Sequence, residues 1–500
     1  MLIFVYQLAL NLILSLFFIP NSPPNENLNN LGSNINTADD EYFPTITADE
    51  SVLYFTRKIG KDEDLMYSKK DNNGNWIKAV GLYPFNLPDI KEGAASISPD
   101  GNTIYLTLCN QPMSFGSCDI YYCKRVNDST WTDLKNLGEV VNTPGWESQP
   151  CIAPDGKTLY FASNRSGGYG QIDIWKTFLQ EDGSWSTPKN LGPEINTDQN
   201  EQTPFIHLDN QTLYFSSDGH QGLGKKDIFV SRKNQTGWSK PENLGAPINS
   251  DSEDFGLVVD RSSKIAYFSS YRDGGFGKSD LYQVTLPQTL RPNNVVIYKG
   301  NVVDENEKPV NGAWIEIHNI TKNKIIYSSA VNEFNASFLT ALEPGSTYGI
   351  NIIAKGYLFY SKQIIIDNNP KNDIYTLTAK LKSIKPGLTV ILYNVLFDID
   401  KYNLHHSSEL ELDNVAKFLE KNPKIKISVY GHTDNTFSAS YNQQLSEKRA
   451  QVVYYYLLKK LMSKKQLIMF KGFGITKPIA DNNTNEGKQL NRRSEIVIVE

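Results

Sequence analysis

Two short stretches hold residues whose types and spacing suit a binding chemistry: GHTDNTFSASYNQQLSEKRA, residues 431–450, and NRRSEI, residues 491–496. Asp434 lies just past a strand-like run, while Asn442 and Arg449 are seven residues apart in a helical pattern, about two turns along one face. A loop carboxylate and a helix guanidinium would then border one groove. Such a pair suits a zwitterionic amino acid, with the carboxylate taking its ammonium and the guanidinium holding its carboxylate through two parallel hydrogen bonds. Taken singly, the same residues also suit a surface ion pair worth about 0 to 1 kcal/mol, with Asn442 starting the helix and His432 supporting a loop.

The elements that must position these groups begin after Pro386-Gly387, where the runs LTVILYNVLF, KIKISVY, LIMFKGFG and EIVIVE read as strands. Helices are expected over residues 407–420 and 441–460, which makes a βαβαβ-like mixed sheet, with Leu445, Val452 and Tyr456 turned toward it. The order GHTD, then N-x-x-L-S-x-x-R-A, then NRR, together with VLFDIDKYNL, resembles the OmpA-like domain over residues 387–500. The resemblance implies a ligand, the diaminopimelate end of a peptidoglycan stem peptide. It implies that Asp434 binds the ammonium and Arg449 the carboxylate, and that Asn442, Leu445, Thr433 and Arg493 shape or supplement the pocket. Phe437 stands where that family usually has Gly, and Ser494 replaces its usual apolar residue.

Upstream, one phrase recurs: FPTITADESVLYFTR, ASISPDGNTIYLTL, QPCIAPDGKTLYFAS, TPFIHLDNQTLYFSS and FGLVVDRSSKIAYFSS. The aligned Tyr54, Tyr105, Tyr160, Tyr214 and Tyr267 are separated by 51, 55, 54 and 53 residues, a period expected of propeller blades. Each unit offers two strands around an Asp-Gly-type turn, a third strand opened by an Asp such as Asp173, Asp227 or Asp280, and a fourth near a Trp. An Asp needed in every unit reads as structural. The segment LNNLGSNINT, residues 28–37, repeats a unit-ending phrase ahead of the first unit, so it is expected to complete the last sheet and remove an exposed edge. The repeats resemble the PD40 family of WD40-like, TolB-type propellers over residues 28–287. Residues 295–383 read as a β-sandwich and resemble a carboxypeptidase regulatory-like domain through Gly300, Val302 and Asp304, the run from Pro309 to Ile317, and Gly356-Tyr357. The fold expected of the whole is therefore multidomain β plus α/β: a five-bladed β-propeller, a β-sandwich and a C-terminal βαβαβ domain.

Charge and composition set the compartment and partners. With 50 basic and 55 acidic residues the net charge of -5 gives no reason to expect nucleic acid. Residues 387–500 hold 16 basic against 12 acidic residues, so this part is the better suited to an anionic polymer. Residues 1–22 read as an export signal, or alternatively an anchor helix. Export to an oxidising compartment would let cysteines pair, and Cys109 with Cys118, which bracket one loop, is the preferred bridge; four unbridged thiols are the alternative. Neither a metal nor a cofactor is expected. The order of units resembles envelope proteins of Bacteroidetes, including a peptidoglycan-associated component of the type IX secretion apparatus, which has a tetratricopeptide region besides. The expectation is a non-catalytic periplasmic protein associated with the outer membrane, with peptidoglycan and outer-membrane or periplasmic proteins as partners. The alternative, a propeller-based enzyme acting on wall glycan or peptide, lacks a GxSxG, HExxH or paired carboxylates in a suitable context.

Overall fold

The computed structural model describes residues 28–86, 90–127, 130–180, 182–398, 400–461 and 466–499. The expected export segment, residues 1–22, lies outside them. Most of the described chain is β-sheet, and its α-helices are confined to the C-terminal part. No helix among the described residues is long and apolar enough to cross a membrane.

Residues 28–286 form five antiparallel sheets of four or five strands. The first strands of neighbouring sheets, Asp40–Ile46, Lys91–Ile97, Glu147–Ile152, Glu201–Ile206 and Asp254–Val259, touch in cyclic order, the last against the first. The fifth sheet takes its outer strand from the other end of this unit: Leu28–Asn30 pairs antiparallel with Asp280–Thr285, Leu28 opposite Val284 and Asn30 opposite Tyr282. The recurring aspartates explain why the loops repeat. Asp173 accepts the N–H groups of Tyr169 and Gly170 at 2.6 and 3.0 Å and the Asn190 amide at 2.6 Å. Asp119, Asp227 and Asp280 do the same with their own loops and with Asn136, Asn243 and Asn30. Removing one such carboxylate orphans three donors. Asp173→Ala should therefore cost about 2 to 3 kcal/mol, read as a lower urea midpoint with an unchanged m-value.

Residues 296–380 fold as a three-stranded sheet, ordered Ser337–Leu342, Val296–Val303, Ile374–Lys380, over a four-stranded one, ordered Lys324–Ala330, Trp314–Asn319, Ser346–Ile353, Tyr360–Ile366. Alternation puts Ile315, Ile317, Tyr348 and Ile350 between the sheets. The opposite face of the four-stranded sheet carries Glu316, Asn351 and Ser361 side by side in register.

Against that polar face lies helix α1, Ser408–Lys421, of the C-terminal part, whose sheet is ordered Thr389–Leu392, Ser494–Ile498, Ile427–Gly431, Leu467–Gly472, with only the last pair parallel. Helix α2, Ala439–Lys460, is capped by the Ser438 hydroxyl, and a short α3, Asn485–Asn491, is capped by Thr484. Ile353, Leu358 and Phe359 of the middle unit share one apolar core with Leu412, Val415 and Phe418 of α1. Beside that core, the fully buried Glu411 accepts from the Ser361 hydroxyl and the Asn394 N–H, each at 2.8 Å, and burial pushes its carboxyl up to about 7. A carboxyl raised in the folded state stabilises fully below its unfolded value near 4.5 and loses that contribution as pH rises through about 7. Between pH 5 and 8 the wild type should lose on the order of 2 to 3 kcal/mol that Glu411→Gln retains, measured by chemical denaturation of both at each pH.

Candidate functional site

The strand Ile427–Gly431 runs under α2, and there is no room for a side chain at its end: a Cβ on Gly431 would strike the Ser446 carbonyl, and one on Gly472 the Glu447 N–H. This close approach sets α2 directly above the loop His432–Thr433–Asp434, which is pinned by the His432 N–H to the Arg493 carbonyl and the Thr433 N–H to the Gly474 carbonyl, both at 3.0 Å. The buried stripe of α2 is Asn442, Leu445, Ser446, Arg449, Ala450, Val453 and Leu457. Of the residues expected to face the sheet, Leu445 lies in this stripe, Tyr456 is half-buried against the core beside it, and Val452 flanks it; the close approach at Gly431 makes Val453 and Leu457 the fully buried pair. Tyr456 turns to α1 and donates to Asp413 at 2.9 Å.

Asp434 is 5% exposed and accepts from the Thr436 N–H at 2.9 Å and from Arg492 Nη1 at 2.5 Å. Burial pushes its carboxyl up, but the Thr436 N–H and the Arg492 guanidinium outweigh it and hold the group below the ordinary carboxylate value. Arg449 is 4% exposed; Nε donates to the Lys401 carbonyl at 2.9 Å, Nη2 to the Asp398 carbonyl at 3.0 Å, and the guanidinium sits 5.1 Å from the Phe397 ring centre. Burial first, then the Arg492 charge, pull its pKa down, while Asp434 and Asp400 oppose them. Asp434, Arg449 and Arg492 thus form one electrostatic cluster. Its rim is aromatic: Phe437 packs edge-on against Tyr441 at 5.3 Å, and the Tyr441 hydroxyl donates to Asp400.

Three more of the residues singled out in the sequence hold buried polar atoms without a protein partner: Thr433 Oγ1, Asn442 Oδ1 and Arg493 Nη1. Asn442 spends its amide N–H on the Phe437 carbonyl at 2.8 Å, and Leu445 is buried one turn further along α2. Arg493 is directed away from Asp434: Nε meets Glu495 Oε1 at 2.7 Å and Nη2 the Lys477 carbonyl at 3.1 Å. The arginine that reaches Asp434 is Arg492, which the reading of the sequence passed over. No local pattern separates the two, since both precede the strand Ser494–Ile498, and only the pairing of Arg493 with Glu495 sets them apart. His432 packs flat on Phe473 and lies 3.2 Å from Glu495, a supporting role.

At the far end of the chain's fold, Cys109 and Cys118 are joined as a disulfide, whereas Cys123 and Cys151 are buried thiols pushed up to about 12 by burial.

Residues 396–492 match the model of the OmpA family. Outer membrane porin F of Pseudomonas aeruginosa is 37% identical over 102 residues, 20% of this chain and 29% of that protein. The chain therefore spans under a third of that relative's length. The crystal structure of the peptidoglycan-associated lipoprotein from Burkholderia pseudomallei overlaps 21% of this chain and 87% of its own, at 29% identity and a TM-score of 0.20. TolB from Acinetobacter baumannii overlaps 50% of this chain and 55% of its own, at 16% identity and a TM-score of 0.33. With the GHTD loop, α2 and the NRR strand entry assembled around one charge cluster, the C-terminal unit is an OmpA-family domain.

Proposed function

We propose that this protein is a non-catalytic envelope anchor of the periplasm, associated with the outer membrane, whose C-terminal domain grips the diaminopimelate of peptidoglycan stem peptides. The observation that carries the reading is the Asp434, Arg449 and Arg492 cluster, ringed by the unpartnered Thr433 Oγ1 and Asn442 Oδ1. A diaminopimelate end offers one ammonium and one carboxylate. The ammonium competes with Arg492 for Asp434. Arg492, one-third exposed and released from Asp434, then joins Arg449 on the ligand's carboxylate. The orphaned hydroxyl and amide oxygen accept the remaining ammonium protons.

Residues 28–287 are read as a five-bladed propeller and residues 295–383 as a carboxypeptidase regulatory-like spacer. The cyclic contact of five sheets and the N-terminal strand completing the last of them support the first reading. The order of units supports a scaffold role toward outer-membrane or periplasmic proteins, including those of a type IX secretion apparatus. Sedimentation with purified diaminopimelate-type sacculi tests the anchor: the protein should pellet with them, and a protein that stays in the supernatant at micromolar sacculus disaccharide refutes it.

A further inference from the structure

The five sheets share a feature that wall binding does not use. In each, a large apolar side chain faces solvent at the connection between the second and third strands: Ile59 at the end of its second strand, and in the other four loops Phe115 with Met113 beside it, Tyr169, Leu223 and Phe276. These side chains are 45 to 99% exposed. They are not held out by chance packing. In four of the loops the N–H of the apolar residue is fixed on the buried Asp of the next strand, and the glycine after it lies where a Cβ would strike the neighbouring sheet's loop. Each apolar tip therefore projects from a rigid turn with small residues around it. The loop bearing Met113 and Phe115 is closed at its base by the Cys109–Cys118 disulfide.

All five tips lie at one end of the ring, because each sheet repeats the same strand order. The other end is taken. Turns between first and second strands meet the middle unit and the segment leading into it: Asn102 donates to Ser337, Lys157 lies 5.0 Å from the Trp314 ring centre, and Asp209 and Ser263 bond the backbone of Asn293. The apolar end thus points away from the units that lead to the C-terminal domain.

We infer that this end of the ring docks on a phospholipid surface, the apolar tips entering the interface and neighbouring lysines reaching the phosphates. Protein interfaces concentrate their affinity in a central packed cluster. Here the apolar groups are spread over five separate loops, an arrangement that suits a fluid surface able to take each tip independently. Lys61, Lys225 and Lys278, all exposed, each follow a tip by two residues, at the depth where an ammonium meets a phosphate while the tip is buried. Asp218 and Asp273 stand in the same loops, and Asp39, Asp198 and Asp251 in the loops pressed against them, so this end is not net basic; insertion of the apolar tips outweighs charge, and zwitterionic vesicles should bind at least as well as anionic ones.

The test uses the full chain on phosphatidylethanolamine and phosphatidylglycerol vesicles doped with a photo-crosslinking phospholipid, with the labelled peptides mapped by mass spectrometry. Labels are expected on the peptides containing Phe115, Tyr169, Leu223 and Phe276, and should fall at least tenfold when Phe115, Leu223 and Phe276 are changed together to Ser. These positions are exposed, so the variant should melt like the wild type and pellet with sacculi unchanged, which separates this inference from wall binding. Labels confined to residues 1–27, labels unaltered by the triple change, or a protein captured at these tips without lipid labelling would each overturn it.

Discussion

Asp434→Asn and Arg449→Ala should each lower retention on diaminopimelate-type sacculi by about 30-fold or more, since each removes charge-assisted hydrogen bonds worth about 2 to 3 kcal/mol to an enclosed ligand. The asparagine keeps the shape of Asp434 and can still accept from the Thr436 N–H, so its effect isolates the charge. Arg449→Ala also releases the carbonyls of Asp398 and Lys401, which makes its melting temperature a necessary companion measurement. Arg449→Lys supplies the finer discrimination. It keeps the positive charge and loses the planar fork, so it should bind closer to the alanine variant than to the wild type. Lysine restoring full retention would point to a diffuse charge effect in place of a shaped pocket.

The second large effect is structural. Gly431→Ala should destabilise the C-terminal domain by about 3 kcal/mol or more, a large share of the 5 to 15 kcal/mol typical of a folded domain. The added methyl meets the Ser446 carbonyl, which is helix backbone and cannot move aside as a side-chain tip could. The strand and α2 must separate, and the loop bearing Asp434 moves with them. Wall binding and thermal stability should fall together in this variant, whereas Asp434→Asn, which gives up the ion pair with the one-third exposed Arg492, should lose far more binding than stability. Gly431→Ala melting within 2 °C of the wild type would show that the packing of strand on helix is looser than described.

Much of this was legible in the chain. The Tyr54 to Tyr267 repeat carried the β units, and the unit-ending phrase misplaced at residues 28–37 pointed to the pairing of Leu28–Asn30 with the last sheet. Repetition also identified the third-strand aspartates as structural, since a group required in each sheet serves the sheet. The C-terminal motif brought Asp434, Asn442 and Arg449 to one place. What the chain did not disclose came from packing between elements. On α2, Val452 and Tyr456 compete with Val453 and Leu457 for the inner face at the same spacing from Leu445, and only the close approach at Gly431 makes Val453 and Leu457 the fully buried pair, with Tyr456 at the edge of the core. Arg492 and Arg493 are chemically identical neighbours, and their opposite fates depend on Glu495 two residues on. Helix α3 is only seven residues long and carries little periodic signal. The polar contact of Glu411 with Ser361 joins residues fifty positions apart in units read separately, beyond the reach of local pattern.

Calorimetric titration of the full chain with a stem peptide ending in diaminopimelate, in parallel with the same peptide amidated at that residue's free carboxylate, tests the central claim most directly. The free peptide should bind, and amidation should weaken binding at least tenfold, because the proposed pocket places Arg449 and Arg492 on that carboxylate. Equal affinity for the two peptides, or no heat from either, would contradict the account.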